Sequence, residues 1–259
     1  MGIGELASIR LSTTTESSQS SVPLCLSQAS VPYLVVKRAL DIVVAAIALV
    51  ALTPLLVLIA IVVKLSSPGP AIYAQRRVRG NQDPNESHPE HNVFTFLKFR
   101  SMYMNSDPSI HRRFVTQYIN GNAASQGELQ GHEAKQREGK KPVYKMRNDP
   151  RVTRVGHFLR RTSLDELPQL YNVIKGDMSL VGPRPALLYE VALYDSFHEQ
   201  RLIPQAGLTG LWQVSGRTSL TFEQMIDLDV EYYKRRSLWL DLKILLKTFP
   251  AVISRVGAW

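Results

Sequence analysis

The sequence predicts a mixed α/β chain, mainly helical, organised around one long apolar segment followed by a region of helices and short strands. Three observations predict it. From Ile42 to Val63 run 22 residues without a charge. Several later segments, 153–175, 221–235 and 238–253, read as helices, and only short stretches near 71–74 and 93–100 read as strands.

Charge narrows the function classes. The chain has 259 residues, with 31 Lys and Arg against 22 Asp and Glu, a formal net charge of +9. Residues 1–63 hold Arg10, Lys37 and Arg38 against Glu5, Glu16 and Asp41, so the whole excess lies beyond Val63. It comes in small groups, Arg76-Arg77-Val78-Arg79, Arg160-Arg161 and Lys234-Arg235-Arg236. No zinc-finger, RNA-binding aromatic or basic-zipper pattern accompanies them. Scattered basic groups beside a membrane segment suit an anionic bilayer surface or an anionic substrate better than nucleic acid. A single cysteine, Cys25, excludes an internal disulfide framework and a Cys-based zinc site.

Residues 1–36, rich in Ser and Thr, read as a disordered tail, and the apolar stretch starts too late for a signal peptide. The apolar run would measure ~33 Å as a helix, enough to cross a ~30 Å hydrocarbon core, so local physics alone favours a single-pass span. Pro54 near its middle argues for a bend, and the Thr53 hydroxyl can take up a carbonyl the proline frees. Basic residues flank both ends, Lys37 and Arg38 before, Lys64, Arg76, Arg77 and Arg79 after. That pattern suits a hairpin-like segment with both ends on the cytoplasmic side.

The polar stretch 104–145 reads as an insertion with one helix, His111 to Tyr118, followed by a mobile loop. After the helical block 153–175 come a tight Gly182-Pro183-Arg184-Pro185 turn, a helix near 186–199 and a Gly-rich segment, 206–217. In 238–253, Leu238, Trp239, Leu242, Leu245, Leu246 and Phe249 gather on one side with Lys243 and Lys247 opposite. This is the pattern of a helix lying on a membrane, or equally of a core-packing face.

The densest chemical signal is Leu159 to Leu170, which contains Asp165 and Glu166. Ser163-x-x-Glu166 matches a capping box, acidic residues offset a helix dipole, and Pro168 belongs in a first turn, so the plain reading is a helix start. The company of the pair points further. Arg160, Arg161, Arg184, Lys98 and Arg100 could converge on two carboxylates at a helix N-terminus and form a polyphosphate site. A carboxylate there can hold a divalent cation together with substrate phosphates, or attack phosphorus itself. Helix dipole and arginines would keep Asp165 ionised. No Walker loop is present.

From Lys37 onward the chain resembles a known family in ordered blocks: KRALDIVVA with the Pro-broken run, FTFLKFRSM, DPRVTRVGHFLRRTSLDELPQLYNVIKGDMSLVGPRP, GLTGLWQVSGR and DLDVEYYKRRSLWLDLKILLKT. They are similar to the monotopic phosphoglycosyl transferases among the bacterial sugar transferases. The resemblance implies a monotopic membrane protein of the inner, cytoplasmic membrane. It would have a re-entrant helix over 37–66 broken at Thr53 and Pro54, a cytosol-facing catalytic domain over 67–259 and interfacial helices over 218–259. It implies transfer of sugar-1-phosphate from a nucleoside diphosphate sugar, expected to be a UDP-sugar, to polyprenyl (undecaprenyl) phosphate. This is the first membrane step of exopolysaccharide, O-antigen or glycoconjugate synthesis. Asp165 would be the nucleophile and a ligand of Mg²⁺, and Glu166 would assist. Lys98, Arg100, Arg160 and Arg184 would bind phosphates, and Gln213 and Arg217 match the block near the site. A homodimer is compatible with it.

The sequence departs from the family pattern in two places: Thr53 stands where a serine precedes the proline, and Ala206-Gly207 where Pro-Gly opens the Gly-rich block. The chain looks like a small member carrying the catalytic core only. Two other readings remain beside the resemblance: a non-enzymatic single-pass anchor with a basic binding module, and a phosphatase acting on lipid diphosphates.

Overall fold

A computed structural model describes residues 30–80, 92–119, 149–216 and 220–253. Helix α1 (Val31–Ser66) is long and apolar enough to cross a membrane by length and composition. It begins at Val31, six residues before Lys37, with Pro32 in its first turn, where a missing N–H costs nothing. The expected break is not an interruption: helical structure continues through Thr53 and Pro54. The Thr53 hydroxyl donates to Leu49 O at 2.8 Å, one turn back. The carbonyl that Pro54 cannot serve is that of Val50, so this bond is the i−4 back-bond that bends helices rather than a repair of the proline's gap.

Both ends of α1 are tied to the same body. Near its start, Tyr33 and Lys37 reach Asp241 at 3.0 and 2.9 Å, and Arg38 donates to Val173 O and Ile174 O at 2.6 and 2.8 Å. Buried Asp41 accepts from Leu180 N at 3.1 Å. At its end, Arg100 donates to Val63 O, Ser67 O and Pro70 O at 3.1, 2.6 and 2.6 Å. A helix leaves its last carbonyls without intrahelical donors, and this guanidinium supplies them. Between the ends Ala45, Ile59 and Val63 are buried, whereas Val43, Ile47, Val50, Val57, Leu58 and Ile61 lie exposed.

Strands β1 (Ile72–Val78) and β2 (Val93–Phe99) pair antiparallel, from Ile72 opposite Phe99 to Val78 opposite Val93. Helix α2 (Pro108–Ile119) contains the helix expected at 111–118; the rest of the insertion, 120–145, lies outside the described residues, as do residues 1–29 of the tail. The block 153–175 is not one helix. Helix α3 (Arg154–Thr162) stops at Ser163, a 3-10 turn spans Leu164–Glu166, and α4 (Gln169–Lys175) follows. Ser163 has a left-handed backbone (φ 57), and Pro168 can neither donate to nor pack against the preceding turn as an interior residue would.

Strand β3 (Ser179–Val181) runs parallel to β4 (Gly207–Thr209). The helix expected over 186–199 shrinks to α5 (Leu188–Val191), and a 3-10 segment, His198–Leu202, comes later. After α6 (Leu211–Ser215), helices α7 (Phe222–Arg235) and α8 (Leu238–Ile253) fall where the periodicity places them, and Thr221 with Gln224 forms the capping box of α7. One core holds Phe94, Phe96, Leu170, Val173, Met178, Leu180, Tyr232 and Ile244 together with Ala45 of α1; another joins Ile59 and Val63 to Phe99 and Leu159. The apolar helix is thus part of both cores.

Candidate active site

The carboxylate pair occupies the 3-10 turn. Leu164 packs into the cluster of Ile59, Val63, Phe99 and Leu159, and Leu167 against that of Phe94, Phe96 and Leu170. Pinned on both sides, the turn holds Asp165 8% exposed and Glu166 half-buried. The capping-box expectation is corrected here. Ser163 closes α3, its N–H donating to Arg160 O at 3.3 Å, and its side chain caps nothing. The side chain that caps α3 is Thr153, accepting from Gly156 N at 2.9 Å. Asp165 and Glu166 thus lie in the 3-10 turn that follows α3 rather than in a capping box.

Four cations stand around the turn. Arg184 Nη1 donates to Glu166 Oε1 at 3.0 Å. It rides on the Gly-Pro-Arg-Pro turn, which is fixed by Gly182 N to Thr209 O (2.9 Å) and Gly207 N to Pro183 O (2.7 Å). That approach needs glycine: a Cβ on Gly207 would lie 2.1 Å from Gly182 N. Arg77 braces the same turn, donating to Pro185 O at 2.6 Å with its guanidinium 4.8 Å from the Phe96 ring centroid. Arg160, in the last turn of α3, donates from Nε to Ser101 Oγ at 2.9 Å. Lys98, near the end of β2, lies over Tyr73 at 5.3 Å.

These groups share one electrostatic basin. Burial pushes the Lys98 ammonium down to about 7; Arg160 and Arg77 push the same way, Asp165 opposes, and Arg184 adds to the shift. Burial also lowers Arg160, with Asp165 and Asp149 holding it up. His111 of α2 belongs to this field. Burial, then Arg77, Lys98, Arg151 and Arg160, push it down to about 4, and its Nδ1 lies 2.5 Å from the Tyr189 hydroxyl. It is neutral at pH 7. Arg77, Lys98, Arg160 and Arg184 confront Asp165 and Glu166, so with all of them ionised the basin keeps two positive charges in excess. A confined cation excess of this kind favours a polyanion.

Of the predicted site residues, the structure brings together Asp165, Glu166, Lys98, Arg160 and Arg184. It does not bring Arg100, which is buried at the end of α1 and donates to backbone carbonyls there. Gln213 lies in α6, its Nε2 donating to Leu208 O at 3.4 Å, and Arg217 lies outside the described residues. Two residues were missed. Arg77 could have been found by strand alternation, which places it on the face of Tyr73 and Gln75; nothing local marks His111. Among the described residues no cluster of three or more His, Cys, Asp or Glu could cage a metal. A magnesium ion needs less, commonly one or two carboxylates with substrate phosphates and water, and buried Asp165 fits that mode.

A helix long and apolar enough to cross a membrane, packed on a body with a carboxylate pair in a cationic basin, is an arrangement compatible with phosphate chemistry at a lipid surface. Residues 32–255 match the bacterial sugar transferase family, and the chain belongs to it. It is 40% identical over 223 residues to the exopolysaccharide production protein ExoY of Sinorhizobium fredii, covering 86% of this chain and 88% of that one. It is 37% identical over 235 residues to the UDP-glucose:undecaprenyl-phosphate glucose-1-phosphate transferase of Caulobacter vibrioides, covering 86% and 72%. To the undecaprenyl-phosphate galactose phosphotransferase of Salmonella typhimurium it is 39% identical over 223 residues, 86% of this chain but only 41% of the relative's length.

Proposed function

We propose that this chain transfers sugar-1-phosphate from a nucleoside diphosphate sugar, most simply a UDP-sugar, to polyprenyl phosphate through a phosphosugar–aspartate intermediate. The observation that carries the reading is Asp165, buried in a pinned turn and facing a cation excess. Asp165 Oδ attacks the sugar-bearing phosphorus. The bond from that phosphorus to the bridging oxygen breaks, and its electron pair leaves on the nucleoside monophosphate. An oxygen of the lipid phosphate then attacks the same phosphorus and displaces the Asp165 carboxylate. Lys98, Arg160 and Arg184 hold the phosphate oxygens and stabilise charge in both transfers. Glu166, tethered by Arg184, helps to remove the proton from the lipid phosphate. Mg²⁺ bound through Asp165 and the diphosphate would supply further charge neutralisation.

The names of the Caulobacter and Salmonella relatives, which contain undecaprenyl phosphate and a sugar phosphate transfer, support the substrates. The ties at both ends of α1 support a monotopic placement, with α1 dipping into the cytoplasmic leaflet and the catalytic body on the cytoplasmic face. Cysteine labelling at 31–36 and 66–70 tests this, and labels on opposite sides of the membrane would refute it. Asp165→Asn tests the chemistry. It should abolish exchange of labelled nucleoside monophosphate into nucleotide sugar while the melting temperature stays near that of the parent; undiminished exchange excludes the covalent step.

A further inference from the structure

Helix α2 is tied to both arms of the chain that carry the cations of the basin. Beyond Lys98 the chain leaves β2 and is pinned to the segment before α3: Thr153 N donates to Ser101 O at 3.0 Å, and Tyr103 N to Arg151 O at 2.9 Å. Arg151 Nη1 reaches on to Asp107 O, just before α2, at 2.7 Å. That arm continues into α3, which carries Arg160. From the first turn of α2, His111 crosses to Tyr189 of α5, the helix that follows Arg184 and its turn. Its Nδ1 lies 2.5 Å from the phenol oxygen, and the two rings meet edge to face at 6.3 Å.

The couple differs from the rest of the site in carrying no charge. Both residues are half-buried, and the other ring nitrogen of His111, Nε2, makes no hydrogen bond among the described residues. Whichever nitrogen holds the proton, Nε2 presents one donor or one acceptor. A hydroxyl answers either, whereas a phosphate oxygen only accepts. Position then selects among the hydroxyls of a nucleotide sugar. Lys98 and Arg160 act on His111, and both also feel Asp165, so His111 stands one group away from the nucleophile. The sugar hangs by one oxygen from the phosphorus that Asp165 attacks, while ribose and base lie beyond the second phosphate.

We infer that His111, held by Tyr189, is a specificity-determining residue that hydrogen-bonds through Nε2 to a hydroxyl of the transferred sugar; this rests on the function proposed above. The cations grip the diphosphate of any nucleotide sugar alike, and the neutral couple reads which sugar is attached.

The test compares UDP-glucose, UDP-galactose and UDP-N-acetylgalactosamine on the full chain. The best of them is then followed by analogues that each lack one sugar hydroxyl. For the parent, one analogue should lose ~10-fold or more in kcat/KM, because a site built to bond a hydroxyl rejects the compound without it. His111→Phe keeps a ring against Tyr189 but removes the polar edge. It should lower kcat/KM for the complete sugar by a similar factor and leave that one analogue within about twofold, so discrimination at a single hydroxyl disappears. His111→Gln, which returns an amide close to the place of Nε2, should restore part of it. Tyr189→Phe frees the imidazole and should weaken the same discrimination by ~3–10-fold, the worth of one neutral hydrogen bond. This second variant, short of one hydroxyl only, gives the same reading if His111→Phe fails to fold. Losses equal across all sugar analogues would mean a structural couple, and altered discrimination confined to base or ribose analogues would mean a nucleoside contact; either overturns the assignment. If the parent transfers no sugar phosphate to any polyprenyl phosphate, the functional reading itself fails, and this assignment falls with it.

Discussion

Lys98 and Arg100 stand two residues apart at the end of one short strand, and the molecule uses them in opposite ways. Arg100 spends its charge on the protein: its guanidinium is buried against the carbonyls of Val63, Ser67 and Pro70, where it closes the end of α1. Lys98 is held among Arg77, Arg160 and Arg184, and the fold bears the cost of keeping it there. The same division runs through the other cations. Arg38 grips the last carbonyls of α4, Arg151 is bound to Asp149 at 2.7 Å, and buried Arg201 to Asp229 at 2.8 Å. Arg100, Arg38, Arg151 and Arg201 build the fold through their partners, whereas Lys98, set among Arg77, Arg160 and Arg184, adds to a local excess of positive charge.

The sharpest way to break this contrast is to exchange losses between the two regions. Arg100→Ala removes the buried guanidinium that donates to the carbonyls of Val63, Ser67 and Pro70, and a buried group left without its partner costs roughly 1–3 kcal/mol. The expected loss of stability is about 3–5 kcal/mol in chemical denaturation, with activity per folded molecule within about threefold of the parent. A variant that stays stable but loses its affinity for nucleotide sugar would return Arg100 to the phosphate site.

Lys98→Met should behave in the reverse sense. Loss of one phosphate-stabilising cation costs ~10²-fold or more in kcat/KM for the nucleotide sugar, close to what single preorganised donors contribute. Stability at pH 7 should hold or rise, because a methionine carries no charge to desolvate. A fall in stability with intact activity would make Lys98 a structural residue.

How much of this was legible in the sequence follows the same line. The helices α7 and α8, the paired short strands and the apolar α1 follow from periodicity and composition, which are local. The Asp165-Glu166 pair with Arg160 and Arg184 was legible because four charges crowd a short stretch and a nearby turn. Arg100 was misplaced because strand alternation puts it on the face of Lys98, while the carbonyls that claim it lie at and just past the end of α1, thirty or more residues away. The Ser163 capping box matched in sequence yet does not form, because Ser163 takes a left-handed backbone and ends one helix instead of starting another. His111 reaches the basin only through the packing of α2, and nothing in its neighbours announces that.

The pH dependence of the two regions gives a smaller and finer test. The Lys98 proton is held less tightly in the fold, at about 7, than in the unfolded chain, at ~10.4. Below pH 7 both states carry it and the fold bears the full cost of a buried charge. Between about 7 and ~10.4 only the unfolded chain carries it, so this residue makes stability rise with pH across that window. Activity should move the other way: the free enzyme loses a phosphate-binding charge as pH rises through about 7, and kcat/KM for the nucleotide sugar falls. Lys98→Met should flatten both trends together. Arg100→Ala should leave both slopes in place on a lower stability baseline.

The smallest effect concerns α8, where the sequence allowed a membrane face or a core face for one set of leucines. The structure divides them. Asp241 and Ile244 are buried, Leu245 packs on the core rather than with the stripe, and Thr248 meets Thr209 at 2.9 Å. Trp239, Leu242, Leu246 and Phe249 stay exposed along the other side, with Lys243 Nζ 5.1 Å from the Trp239 ring. Aromatic and aliphatic side chains beside lysines are what an interfacial helix presents to a bilayer. With α1 as the proposed anchor, Leu246→Ser should change total membrane binding and thermal stability little. The informative readout is therefore local: lipids brominated near the headgroup should quench Trp239 fluorescence, identified as the component lost in Trp239→Phe, and Leu246→Ser should weaken that quenching. Leu245→Ser, one position away, should instead lower stability by about 1–3 kcal/mol with quenching unchanged. Equal effects from the two serines would mean that α8 has no membrane face distinct from its core face.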